Sequence, residues 1–133
     1  MKRIYHLLLL VCTVWMVACN DHIPDPTPMK AERTVIVYMM AENSLNDFVR
    51  SDSAEMAYAV QRIPDNVNFV LYKDDIHLPV IYALSRKNGV QKWKQFTKDQ
   101  VSTDSLTMRN TLRDIVATFS ADHYGLVLWS HGG

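Results

Sequence analysis

Cysteine is almost missing from this sequence. The 133 residues contain two, Cys12 and Cys19, and none follows position 19. Residues 20–133 therefore have no disulfide, no thiolate metal site and no cysteine nucleophile of their own. An excess of one charge is missing as well, since 14 Lys and Arg balance 14 Asp and Glu. No basic field is available to hold nucleic acid. Beyond one proline-spaced stretch there is no low-complexity tract and no internal repeat.

Long hydrophobic runs are limited to one, at the start. Met1-Lys2-Arg3 is a short basic head, and Leu7 to Ala18 is apolar except for Thr13. At about 1.5 Å per residue this run reaches only about 18 Å, well short of a bilayer core of about 30 Å. It reads as the core of a signal peptide over residues 1–18. It ends in Met16-Val17-Ala18-Cys19. A small residue directly before a cysteine resembles a bacterial lipobox, in which Cys19 carries the lipid and becomes the first mature residue. Met16 stands where that pattern usually has Leu. Pro24, Pro26 and Pro28 follow, and alternating prolines favour an extended, solvated chain. Residues 19–32 are therefore expected to be a tether between lipid and domain. Losing Lys2 and Arg3 leaves 12 basic residues against 14 acidic ones. The expected location is the bacterial cell envelope, with the lipid on Cys19 as the membrane contact.

From Thr34 the pattern is that of an α/β domain. Thr34 to Met40 (TVIVYMM) is the continuous apolar run of a strand buried on both faces. Asn43 or Ser44 can cap a helix carrying Leu45, Phe48, Val49, Met56, Ala59, Val60 and Ile63 on one face, stopped by Pro64. Val67 to Lys73 is a second strand, completing a βαβ unit. A hairpin follows, Pro79–Ser85 and Val90–Phe96, turning at Asn88-Gly89. A second helix runs from Asp104 to Ser120 with the stripe Met108, Leu112, Ile115, Val116 and Phe119. The loop Ala121-Asp122-His123 leads to a last strand, Tyr124 to Trp129, before Ser130-His131-Gly132-Gly133. This order predicts a mostly parallel sheet flanked by helices. A strand as apolar as YGLVLW needs cover on both faces, so residues 33–133 are expected to be the front part of a longer domain.

In such sheets ligands bind at the carboxyl ends of the strands. Two segments fall there, Ala41-Glu42-Asn43-Ser44 and Ser130-His131-Gly132-Gly133. A histidine has the pKa for acid–base work. Asp74, Asp75 and His77 read as a polar turn, with no further ligand placed to complete a metal site.

The stretch from Ala121 to Gly133, ADHYGLVLWSHGG, resembles the block around the catalytic histidine of clostripain-type cysteine peptidases. Val37 to Leu45, VYMMAENSL, resembles that family's first strand and the block after it. The resemblance runs from Thr34 to Gly133 in the same order. It implies a caspase-like α/β fold in which His131 is the catalytic histidine, Gly132 helps shape the oxyanion region, and Glu42 and Asn43 lie on the active-site rim. It further implies a protein or peptide substrate cleaved after Arg or Lys, and no cofactor beyond the calcium that some members need. Glu42 stands where the family more often has Asp, and Asn46 where Glu is common. The nucleophile strand with its cysteine is expected beyond Gly133, so this chain alone is expected to be inactive. Two other readings stay open. One is an α/β-hydrolase whose His-Gly-Gly backbone forms an oxyanion hole. The other is a non-catalytic surface lipoprotein, or a relic that binds a partner.

Overall fold

An apolar, β-branched strand must be covered on both faces, and the centre of this sheet meets that demand. The computed structural model describes residues 30–131. The expected signal peptide, Cys19 and Gly132 lie outside these residues. In chain order the elements are β1 (Ala31–Met40), α1 (Val49–Ala59), β2 (Val67–Asp74), β3 (Val80–Ser85), β4 (Gly89–Gln95), α2 (Ser105–Thr118) and β5 (Ala121–Trp129). Single 3-10 turns at Asn46–Phe48 and Val60–Arg62 bracket α1.

The five strands form one mixed sheet in the order β4-β3-β2-β1-β5. β1 is parallel to both β2 and β5, while β3 is antiparallel to β2 and β4. Only β3 therefore runs against the rest. The connection through α1 moves from β1 to β2, and the one through α2 moves back across the sheet to β5. Right-handed crossovers in opposite directions place their helices on opposite faces. The core is divided accordingly. Ile36, Tyr38, Met40, Val70, Tyr72 and Ile81 pack with Ile115 and Phe119 on the α2 side. Val37, Met39, Leu71 and Leu84 pack with Val49 and Val60 on the α1 side. The alternation along β1 is the period-2 pleat, with both faces apolar because both are covered.

Local chemistry explains the ends of the elements. Asp104 caps α2 by accepting a hydrogen bond from Thr107 N at 2.8 Å. Gly89 takes φ +66° in the β3–β4 turn, a conformation that glycine adopts without strain. No helix among the described residues is long and apolar enough to cross a membrane.

Several boundaries differ from those expected. Ala31 and Glu32 belong to β1 and not to the tether placed at 19–32. Their backbone N–H groups donate to the carbonyls of Ser120 (3.0 Å) and Asn66 (2.9 Å), which gives them partners inside the fold. The same lengthening pulls Ala121-Asp122-His123 out of the expected loop into β5, where His123 pairs with Arg33. Phe48 is 56% exposed and Ala59 is also exposed, although both had been placed on the buried stripe. Each lies at a 3-10 turn, whose tighter winding rotates side chains off an α-helical stripe. In α2 Val116 is exposed and Thr111 is buried.

β5 sits at the sheet edge. Leu126, Val127 and Leu128 are about half exposed (48%, 48% and 56%), and so is Tyr124.

Candidate active site

Three parallel strands, β2, β1 and β5, point their carboxyl ends the same way. The carboxyl ends of parallel strands are where open α/β sheets hold their ligands. Two side chains meet there. Ser44, four residues past β1, and His131, two residues past β5, are hydrogen-bonded through Oγ and Nε2 at 2.8 Å. Both are exposed.

The turn after β1 is held locally. Asn43 Oδ1 accepts from Leu45 N at 2.8 Å, and Asn43 Nδ2 donates to the Met40 carbonyl at 3.0 Å. Such an Asx turn reverses the chain directly after the strand and swings Ser44 toward β5. On the other side, Trp129 Nε1 donates to Asp52 Oδ2 of α1 at 2.9 Å. The end of β5 is thereby pinned to the helix that follows Ser44. An imidazole with an exposed nitrogen at a strand end can take up and return a proton.

The residues expected at the site divide into groups. His131 and the segment 41–44 come together, but the direct partner of His131 is Ser44. Asn43 shapes the turn from behind. Glu42 turns the other way, toward β2. There its carboxylate lies within 4.8 Å of those of Asp74 and Asp99. The sequence does not single out Asp99, and it offers Asp74 only as part of a polar turn with Asp75 and His77. Asp75 and His77 do form the expected polar turn: Lys73 Nζ donates to Asp75 Oδ2 at 2.7 Å and His77 N donates to Asp75 Oδ1 at 2.9 Å. Asp74 does not share in it. Val70, Tyr72 and Asp74 alternate onto one face of β2, so Asp74 is carried into the α2-side core and is fully buried. Strand parity was the available signal, hidden because β2 was expected to end one residue earlier.

Burial pushes the Asp74 carboxyl above the ordinary carboxylate range. The Ser102 hydroxyl opposes that shift, and the neighbouring charges of Glu42, Asp99 and Asp75 add to it. Among the described residues neither Asp74 oxygen has a hydrogen-bond partner of acceptable geometry. Beneath it Tyr38 and Tyr72 stack with ring centroids 4.3 Å apart, and Tyr38 Oη donates to the Ser102 carbonyl at 3.1 Å.

Residues 37–133, the span that holds both the turn after β1 and His131, match the model of the clostripain family. The chain belongs to the clostripain family. Solved structures agree with that membership. A cysteine protease from B. fragilis is 31% identical, with a TM-score of 0.72, over 77% of this chain and 90% of that one. A secreted C11 cysteine protease from Bacteroides thetaiotaomicron, solved with an irreversible peptide inhibitor, is 31% identical with a TM-score of 0.73. It is matched over 77% of this chain and 30% of its own. An inactive zymogen C11 protease from Parabacteroides distasonis is 28% identical with a TM-score of 0.71, over 80% of this chain and 32% of that one. The clostripain-like sequence thus spans nearly all of one relative's chain and about a third of the other two. No curated protein matches. The sheet and its helices are those of the caspase-like peptidase fold of these relatives, in part.

Proposed function

We propose that this chain supplies the histidine-bearing part of an exported, lipid-anchored cysteine endopeptidase that cleaves after Arg or Lys. The observation that carries the reading is the position of His131: exposed past the carboxyl end of β5, hydrogen-bonded to Ser44 of the turn after β1, within the span matched to the clostripain family. In this reading His131 takes the proton of a cysteine thiol, and the thiolate attacks the scissile carbonyl. The same imidazole then protonates the leaving amine. Ser44 holds the ring in place through Nε2, and Gly132 contributes to the oxyanion region. Glu42 and Asn43 are kept on the rim, Asn43 by shaping the turn that presents Ser44. The only cysteines present, Cys12 and Cys19, precede the domain. The nucleophile therefore comes from a segment outside residues 20–133, and the bare apolar edge of β5 is a place for its strand to pair. Export rests on residues 1–18 and on the secreted relative, the lipid on Cys19, and the basic specificity on likeness to the family.

The test compares the 133-residue chain with the protein of the whole reading frame on fluorogenic peptides ending in Arg or Lys. The isolated chain is expected to show no turnover. The longer protein is expected to show turnover blocked by a thiol-directed inhibitor, falling by about 100- to 10,000-fold in His131→Ala. Turnover by the isolated chain, lost in Ser44→Ala, would make Ser44 the nucleophile and overturn the reading. A reading frame without a further cysteine would leave a non-catalytic surface lipoprotein.

A further inference from the structure

On the β2 side of β1, away from the Ser44–His131 pair, three acids converge. Glu42 comes from the turn after β1, Asp74 from the last position of β2, and Asp99 from the segment between β4 and α2. Each offers a carboxylate oxygen, and these three atoms lie within 4.8 Å of one another. At that spacing the like charges repel, and a positive group among them is attracted by all three.

Acidic residues often gather without a ligand, but Asp74 adds an independent feature. Its side chain is fully buried, and among the described residues neither of its oxygens has a hydrogen-bond partner. A buried carboxylate needs a countercharge, a donor or a proton. The charges that act on it are those of Glu42, Asp99 and Asp75, all acids. Lys73, beside it in β2, is engaged by Asp75 at 2.7 Å. Glu42 and Asp99 are exposed and line a cavity of about 140 Å³. Its other walls include the apolar Met40 and Val101, with Asn43 and Ser102. The cavity thus joins an acidic end to an apolar wall. A bare metal ion would use only the acids. A basic side chain uses both, laying its methylene stem on the wall and its charged head among the carboxylates. The guanidinium of arginine fits best, because its planar fork can donate to two carboxylates at once.

We propose that Glu42, Asp99 and the buried Asp74 form a subsite for a second basic side chain of the bound peptide, arginine before lysine, apart from the residue after which the peptide is cut. This subsite rests on the peptidase reading for its peptide, and on the buried carboxylate and the cavity for its charge and shape. Its placement follows from the sheet. His131 lies past β5 and Asp74 at the end of β2, two strand spacings away, or about 10 Å. An extended peptide advances about 3.3 Å per residue. A peptide whose scissile bond lies at His131 and which crosses β1 therefore brings a side chain two or three residues from the cut over the acids. The consequence is a preference for substrates with two basic residues spaced along the chain.

Two measurements test it. In the first, the 133-residue chain is titrated calorimetrically with acetyl-arginine amide in about 0.15 M salt, which screens diffuse attraction. Acetyl-citrulline amide has nearly the same shape without the charge. The arginine compound is expected to bind saturably, and the citrulline compound about tenfold more weakly or less. Glu42→Gln and Asp99→Asn change exposed side chains, and each is expected to keep the fold and weaken binding about tenfold. Asp47→Asn, in the turn before α1, is expected to bind like the parent. Equal binding of the two compounds would overturn the proposal. So would binding that survives Glu42→Gln and Asp99→Asn together. Binding of calcium chloride with none of acetyl-arginine amide would overturn it in favour of a metal site. In the second measurement, the protein of the whole reading frame cuts quenched fluorescent peptides with arginine fixed at the cut. Arginine or citrulline is placed in turn at each flanking position. One position two or three residues from the cut is expected to favour arginine about tenfold in kcat/KM, and Asp99→Asn to remove that preference. The absence of such a position would overturn the proposal. A loss in Asp99→Asn of the preference for arginine at the cut itself would overturn it in favour of the primary specificity pocket. No turnover of any peptide would defeat the peptidase reading, and the first measurement would then decide whether the acids hold a basic side chain.

Discussion

β1 and β5 are parallel neighbours of similar composition, yet they live in different surroundings. Ile36 and Leu126 are cross-strand partners. Ile36 is 3% exposed and Leu126 is 48% exposed. Tyr38 faces Leu128 in the same register, the first fully buried and the second mostly solvated. β1 is paired on both sides and roofed by α1 and α2. β5 is paired on one side, and its apolar side chains lie on a largely open surface. Apolar character states that a strand must be covered, and position in the sheet determines which part of the molecule covers it. The consequence is functional as well as structural, because His131 follows the half-covered strand.

This contrast can be broken most sharply at the partners themselves. Ile36→Ala is expected to destabilise the chain by about 2–5 kcal/mol, the cost of a cavity in a packed core. Leu126→Ala in the same chain is expected to change stability by only about 0.5 kcal/mol. Urea unfolding of both variants measures the gap. Repeating the pair in the protein of the whole reading frame sharpens it: under the peptidase reading β5 gains cover there, and the Leu126 penalty rises toward that of Ile36. Equal penalties in the short chain would mean that β5 is already packed.

A smaller effect concerns the pin between β5 and α1. Trp129→Phe keeps an aromatic side chain, though a smaller one, and deletes the indole N–H donor to Asp52, so a loss of about 1 kcal/mol is expected from the hydrogen bond. Adding Asp52→Asn to that variant is expected to cost little more, because the two share one hydrogen bond. Additive losses in the double-mutant cycle would show that the pair does not interact.

The smallest effect is a pH dependence in α2, away from both strands. Hydrogen bonds from Thr107, from its backbone first and its hydroxyl second, hold the Asp104 carboxyl below its ordinary value of 3.8. A folded-state pKa below the unfolded one means that this contribution is fully present above the ordinary value. It is lost as pH falls through the lowered one. Asp104→Ala is therefore expected to melt slightly lower than the parent at pH 6, with the difference closing at strongly acid pH. A difference independent of pH would remove the charged cap from the account.

Much of the fold was legible because its signals are local. The apolar run of β1, the Asn88-Gly89 turn and the Asp104 cap each act within a few residues, and each element was found near its expected place. The misplacements arose where the decision is made at a distance. Ala31, Glu32 and Ala121 to His123 look like tether and loop until β1 and β5 are set in register. Phe48 and Ala59 fit an ideal helical stripe that two 3-10 turns break. At the candidate site, His131 could be marked from its own strand, whereas Ser44 could be marked as its partner only when β1 and β5 lay side by side. Asp74 was hidden by one residue of strand length, since parity puts residue 74 inside and residue 75 outside.

By itself the sequence determined the α/β order of elements, the family, the lack of a cysteine after position 19 and the histidine at a strand end. These follow from composition, periodicity and motif, which are properties of the chain as a string. Tertiary structure alone decided which groups share a site. It set Ser44 against His131 and gathered Glu42, Asp74 and Asp99 from positions 57 residues apart at the extremes. Contacts of that kind depend on strand order and register, and these are chosen by burial of the whole sheet and not by any one segment.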